Sequence, residues 1–281
     1  DIRGLYWHKE MLARGGFDAD AGPATFSELE EMAHRLTILN ADGTFSQFGF
    51  IPWLRPPHGN WGSVGWLYAW GGDIYDAVAK RPTINKEGHV RGFEWLQSFA
   101  QLYPPDLVAA TLAGVNQSLL AGKTALTAFS TGLIPVLKNA DPDFRFGVGE
   151  VPTPPGGQNG TWMGGMAHII PAGAGNVEGA AVLLRWLASP EVQAVWARET
   201  VRLPTRLDAF ELIQDDLLPE QAILVRQAGV AFGRPPLWYP PIYLTADEAL
   251  DNVIYMRMGA RPALEMAQRK LELIFAEVFG E

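Results

Sequence analysis

Short apolar runs alternate with capped amphipathic segments along most of this 281-residue chain, and that alternation indicates an α/β architecture. Leu5 to Trp7 reads as a strand running into a helical turn through Leu12, closed by Gly15 and Gly16. Thr25 with Glu28 makes a capping box, and Phe26, Leu29, Met32, Ala33 and Leu36 recur at helical spacing. The pattern predicts a helix ending near Asn40, before the Asp42-Gly43 turn. Phe48 to Ile51 reads as a buried strand. The Pro-, Gly- and aromatic-rich segment from Pro52 to Gly62 suits a loop lining a cleft.

A helix is predicted from about Gly88 to Tyr103, stopped by Pro104-Pro105, and another from Val115 to Ala121. Strands are expected over Thr124 to Phe129, Phe146 to Val151 and Met166 to Ile170. Two helices follow, one capped by Asn176 and one by Ser189, the second with Val192, Val195 and Trp196 as its apolar face. Thr245 with Glu248 reads as a further capping box, and Pro262 opens a last helix. Helices dominate the C-terminal end.

Composition narrows the function classes. With 48% hydrophobic and 19% charged residues, the chain has the makeup of a folded protein. The net charge of -9 comes from 31 acids against 22 bases with no basic run, which argues against a nucleic-acid partner. Cysteine is absent, removing disulfides and thiolate chemistry together. The most apolar stretch, Ala180 to Leu187, is far short of the roughly 20 residues of a membrane span. Asp1 is not an initiator Met, so the native N-terminus is expected to lie upstream.

Catalytic motifs fail on inspection. Gly122-Lys123-Thr124 looks like the end of a phosphate-binding loop, but the earlier glycine would fall at Gln117 and the order runs from helix to strand. The five histidines are scattered without metal-ligand spacing. No nucleophile elbow or dinucleotide fingerprint occurs, and neither a cofactor nor a metal is called for.

What remains is a set of aromatic and polar residues near Pro and Gly: His58, Asn60, Trp61 and Trp66; then Trp162, Gly164, Gly165 and Met166; then Arg234, Trp238, Tyr239 and Tyr243. Sugars need this chemistry, since a pyranose offers an apolar C–H face to an indole and a rim of hydroxyls to planar polar groups.

RGLYWHKEMLARGGFD at Arg3, WLYAWGGDIYD at Trp66, LAGKTALTAF at Leu120 and LLRWLASPEVQAVWARET at Leu183, in that order and spacing, resemble segments of the extracellular solute-binding proteins of family 1, the maltose-binding-protein-like sugar-capturing components of ABC importers. RGLYWHKEMLARGGFD (Arg3 to Asp18) is similar to that family's Leu-Tyr-Tyr-Asn-Lys-Asp pattern and following turn. ATFSELEEMAHRLT from Ala24, WLYAWGGDIYD from Trp66 and LAGKTALTAF from Leu120 resemble its next helix, aromatic stretch and Gly-Lys strand. PDFRFGVGEVPTPPGG, TWMGGMAHIIPAGAGNVEGA and LLRWLASPEVQAVWARET continue the likeness to Thr200.

The resemblance implies a periplasmic-binding-protein-like fold of type II: two α/β lobes joined by crossing segments and closing on a ligand as a hinge. It places residues 1–165 in the second lobe, 166–203 in a segment returning to the first lobe and 204–281 in the helical end of the second, with most of the first lobe upstream. It implies an extracytoplasmic location, ABC permease subunits as partners, room for a lipid anchor upstream, and no catalysis. Asp1 falls where the family often has a ligand-binding carboxylate, and Trp61 in a cleft loop. Phe129, Ser130, Thr131 and Gly132 fall at a ligand-facing strand end, where they depart from the family's Asp-Gly-x-Trp. The leading expectation is capture of an oligosaccharide or substituted sugar. A sugar phosphate or polyamine, paired through Arg234 or Arg55 in the case of phosphate, stays open, and so does glycoside hydrolysis by two separated acids.

Overall fold

The computed structural model describes residues 1–53, 60–114, 117–165, 167–233 and 240–279. In chain order the elements begin with β1 (Arg3–His8), α1 (Lys9–Arg14), α2 (Phe26–Arg35), β2 (Ile38–Leu39) and β3 (Phe45–Phe50). The middle comprises α3 (Asn60–Gly71), β4 (Tyr75–Asp76), β5 (Arg81–Pro82), α4 (Glu87–Leu102), α5 (Pro105–Thr111), β6 (Thr124–Ser130), α6 (Leu133–Ala140) and β7 (Phe146–Gly149). The last part is helical: α7 (Val177–Leu187), α8 (Pro190–Thr200), α9 (Leu207–Glu211), α10 (Pro219–Ala228), α11 (Pro240–Ile254) and α12 (Ala260–Phe279).

Five strands form one sheet in the order β2-β3-β6-β1-β7, with β3 parallel to β6 and the remaining pairs antiparallel. Side chains alternate across β1, so Leu5 and Trp7 face one way and Tyr6 the other. Leu5 and Trp7 join the main core with Phe48, Phe50 and Leu126, covered by α2, α3, α4, α11 and α12. Tyr6 joins a second core with Leu133, Ile134, Val148 and Leu224, covered by α6 and α10.

Local chemistry explains the helix boundaries. At α2 both halves of the Thr25–Glu28 capping box form, and Phe26, Leu29, Met32 and Ala33 are buried. The Asn176 side chain accepts from the Gly179 amide at the start of α7, 2.8 Å. Glycines allow α3 and α4 to touch: a Cβ on Gly88 would lie 2.2 Å from the Trp70 carbonyl oxygen, and one on Gly92 2.9 Å from the Trp70 ring.

Several elements depart from the sequence pattern, each for a packing reason. α2 stops at Arg35 rather than near Asn40, because Ile38 and Leu39 pair with β3. Asn60 to Gly62 open α3 instead of belonging to a loop; that helix is apolar around its circumference and shows no periodicity to read. Residues 117–123 form turns rather than a helix, with the Ala121 amide donating to the Gln117 carbonyl and Gly122 at φ 65°. Residues 167–170 form no strand; the antiparallel bridge comes earlier, between Ile2 and Met163. Thr245 is buried within α11, which begins five residues earlier at the Pro240-Pro241 pair, so it does not stand at a helix start.

The largest departure lies in α7 and α8. The helices form, but of the apolar face expected on α8, Val195 and Trp196 face outward and Val192 is half-buried. α7 buries no residue, Trp186 is 58% exposed, and Val182, Leu183, Val195 and Trp196 are exposed as well. On α8 the buried side chains are Ala194 and Ala197, packed against Ile213.

Candidate functional site

β1 and β6 run antiparallel with Arg3 opposite Ser130, so the start of one strand lies beside the end of the other. Three further pieces of chain meet there. The Gly164 amide donates to the Asp1 carbonyl at 2.9 Å, and the Met163 amide to the Phe232 carbonyl at 2.8 Å. Bridges join Ile2 to Met163 and Trp162 to Phe232. The Arg202 guanidinium lies so close to Gly132 that a Cβ there would come within 3.2 Å of it.

Asp1 is exposed, and its carboxylate accepts from the Thr131 amide at 3.1 Å and the Thr131 hydroxyl at 2.8 Å. Ser130 and Phe129 are half-buried beside it. The Ser130 carbonyl accepts from the Tyr6 phenol, 2.8 Å, and its hydroxyl accepts from the Gly132 amide, 3.2 Å. Burial pushes that phenol well above its ordinary range.

The Arg3 guanidinium lies over two rings, 5.7 Å from the centre of Phe129 and 5.2 Å from that of Trp162. Burial lowers its pKa to about 10, so it remains a cation at neutral pH. Trp162 is buried with Val64 and Phe232, and Phe232 stacks on Tyr68 at 3.6 Å between ring centres. Gly164 sits directly against the Trp162 ring. Gly165 is exposed next to it.

Beneath this surface, Gln227 of α10 ties the segments together. Its side-chain amide donates to the Arg3 carbonyl and to the Thr161 hydroxyl, and its carbonyl accepts from the Val151 amide at 2.8 Å. Thr161 in turn donates to the Arg3 carbonyl at 2.7 Å. Sequence reasoning missed Arg3, Thr161, Arg202 and Gln227. Gln227 has the look of a solvated helical residue, and only the packing of α10 on β1 buries it.

Of the residues expected at a site, Asp1, Phe129, Ser130, Thr131, Trp162, Gly164 and Gly165 are brought together here. Trp66 lies elsewhere: it is buried in the main core, with its indole nitrogen donating to the Pro52 carbonyl at 2.7 Å and its ring 4.7 Å from Trp95. Asn60 and Trp61 occupy the first turn of α3, and Tyr243 the first turn of α11, half-buried. His58, Met166, Arg234, Trp238 and Tyr239 fall outside the described residues. A separate groove of about 510 Å³ beside Trp7, Gly22 and Glu150 contains none of these groups.

Crossing segments thus gather under a polar rim at one end of the sheet. Residues 2–220 match the family described as bacterial extracellular solute-binding protein, and the chain belongs to that family. It is 23% identical over 297 residues to the sn-glycerol-3-phosphate-binding periplasmic protein UgpB of Pectobacterium atrosepticum, an alignment covering 94% of this chain and 62% of that protein. The chain thus spans less than two thirds of the length of that relative. Among solved structures, CpMnBP1 with mannobiose bound superposes with a TM-score of 0.83 at 24% identity, covering 96% of this chain and 69% of that one. An ABC transporter solute-binding protein from Thermotoga lettingae bound with α-D-tagatose gives 0.81 at 20% identity, covering 98% and 70%. The chain has the α/β fold of these two-lobed binding proteins. No helix among the described residues is long and apolar enough to cross a membrane.

Proposed function

We propose that this chain is the larger part of the substrate-binding component of an ABC importer, which captures a carbohydrate between two lobes and delivers it to permease subunits without transforming it. The observation that carries this reading is the convergence of Asp1, the Phe129 to Thr131 strand end and the Trp162 to Gly165 segment where the chain crosses the end of its sheet, in a member of the solute-binding family. Carboxylate, hydroxyl and backbone groups supply the rim contacts that sugar hydroxyls need, and the aromatic residues supply apolar surface.

In this reading residues 1–165 and 204–281 form the second lobe, and 166–203 returns to the first. The bare apolar faces of α7 and α8 support that division, because a folded protein rarely leaves so many large side chains in water unless another surface covers them. The protein works on the outer side of the cell membrane or in a periplasm, and closure follows from rotation about the crossings near Asp1, Gly164 and Arg202. Asn60, Trp61, Tyr243 and the expected residues outside the described part complete the ligand-facing set.

The test is a thermal-shift screen of the full-length protein against mono- and oligosaccharides, followed by calorimetry on the compounds that raise the melting temperature. Saturable binding with no product formed supports the reading. A broad sugar and polyol panel that fails to bind, alongside binding of an amino acid or polyamine, overturns it.

A further inference from the structure

We infer that the turn after β6 is an anion-reading point, with Arg202 recognising a phosphate or carboxylate group carried by the captured sugar or polyol. This deepens the carbohydrate reading above and rests on it.

Arg202 leaves α8 through Val201, a β-branched residue held at φ 54° in left-handed backbone, a conformation with a steric cost for such a side chain. The Arg202 amide donates back to Ala197 at 3.1 Å, and its carbonyl accepts from Gln221. The backbone on both sides is therefore tied down, and the side chain extends to the turn at Thr131 and Gly132. The missing side chain at Gly132 makes the approach possible: a Cβ there would lie 3.2 and 3.3 Å from the two terminal guanidinium nitrogens and 3.3 Å from the Ser130 hydroxyl oxygen.

Thus Arg202 and Ser130 come together at one point, although the guanidinium makes no hydrogen bond or ion pair with any described residue. The nearby carboxylate, on Asp1, is already held by Thr131. A second cation, Arg3, opposite Ser130 in the strand pairing, lies over Phe129 and Trp162. In a chain of net charge -9, the Arg202 guanidinium is a cation with no ion-pair partner among the described residues, which leaves it open to an anionic ligand group. A planar guanidinium with adjacent hydroxyl donors suits the oxygens of a phosphate ester or a uronate, which neutral sugars lack.

The experiment is calorimetric titration of the full-length protein with matched compounds: glycerol against glycerol 3-phosphate, and glucose against glucose 6-phosphate and glucuronate. Inorganic phosphate serves as competitor. In at least one pair the anionic member should bind about ten-fold or more tightly than its neutral partner, with affinity falling as salt rises. Arg202→Gln should bring the two to within about three-fold, while Arg202→Lys keeps part of the preference. Ligand-free melting temperatures of both variants should stay near that of the parent, because the side chain holds nothing else in place. Preference for the phosphate compounds alone assigns a phosphate ester, and preference for glucuronate alone assigns a carboxylate. Neutral sugars binding as tightly as anionic ones overturns the inference and leaves the importer reading standing. A preference that survives Arg202→Gln also overturns it. If no compound on either side of any pair binds, the inference falls, and the importer reading is decided by the broad sugar screen above.

Discussion

The Asp1 carboxylate accepts two hydrogen bonds from Thr131, 3.1 Å from its amide and 2.8 Å from its hydroxyl, and so pins the entry to β1 against the exit from β6. Because Thr131 is buried and Asp1 exposed, one side of the carboxylate is committed to the fold while the other faces solvent.

Thr131→Val keeps the shape and removes the hydroxyl donor. Hydrogen bonds to charged groups contribute about 1.5–3 kcal/mol, and the surviving amide bond holds the loss to the lower end of that range. The expected outcome is a melting temperature lower by several degrees in calorimetry, with Thr131→Ser retaining most of the parent value. Equal melting temperatures for the Val and Ser variants would show that the hydroxyl contributes nothing.

Gly88 marks where α4 meets α3, since a Cβ there would stand 2.2 Å from a backbone oxygen that cannot move aside. Gly88→Ala should destabilise the protein by about 1–3 kcal/mol through overpacking, despite the gain of roughly 1 kcal/mol in helix propensity. Gly173→Ala is the control, because a Cβ at that position meets nothing within 4 Å. Urea midpoints of the two variants separate the effects, and similar midpoints would contradict the packing argument.

His89 is buried with both ring nitrogens 2.9 Å from carbonyl oxygens, those of Ile84 and Gly72. Burial lowers its pKa against the pull of those carbonyls, so the folded protein resists protonation where the unfolded chain, near 6.5, accepts it. The folded state binds fewer protons in that window, and its stability falls as the pH drops below about 6.5. His8 shifts in the same direction, also through burial. Melting curves from pH 7.5 to 5.5 should show the decline, and His89→Asn should flatten it while lowering stability at pH 7.5. A slope unchanged in that variant would remove His89 as its source.

The outward apolar faces of α7 and α8 predict a difference between this chain alone and the full-length protein. Alone, it should bind a hydrophobic dye and elute larger than a monomer, and Leu183→Lys with Trp186→Lys should reduce both signals. In the full-length protein, hydrogen exchange at α7 should be slow if the first lobe covers it. Rapid exchange there would count against the lobe division proposed for residues 166–203.

The amino-acid sequence by itself determined the features that depend on neighbours in the chain. The Thr25–Glu28 box, the Asn176 cap, the glycine breaks at Gly43 and Gly72, and the strands around Leu5, Phe48 and Thr124 follow from short-range sterics and hydrogen bonding. The order of its motifs also pointed to the solute-binding family, in which residues 2–220 belong. Tertiary structure alone decided which face of each element is covered and which distant segments meet. Helical periodicity marks an apolar stripe without saying what lies against it, which is why Trp196, expected on an apolar face, is exposed, while Gln227, a polar helical residue that no pattern singles out, lies buried. Trp66 and Trp162 have the same side chain in similar settings, yet one packs between α2 and α4 and the other lies under Arg3 at the chain crossings. The site joins residues 1–3, 129–132, 161–165, 202 and 232, and contacts over such separations follow from the pairing of strands and the packing of helices, which local pattern does not encode.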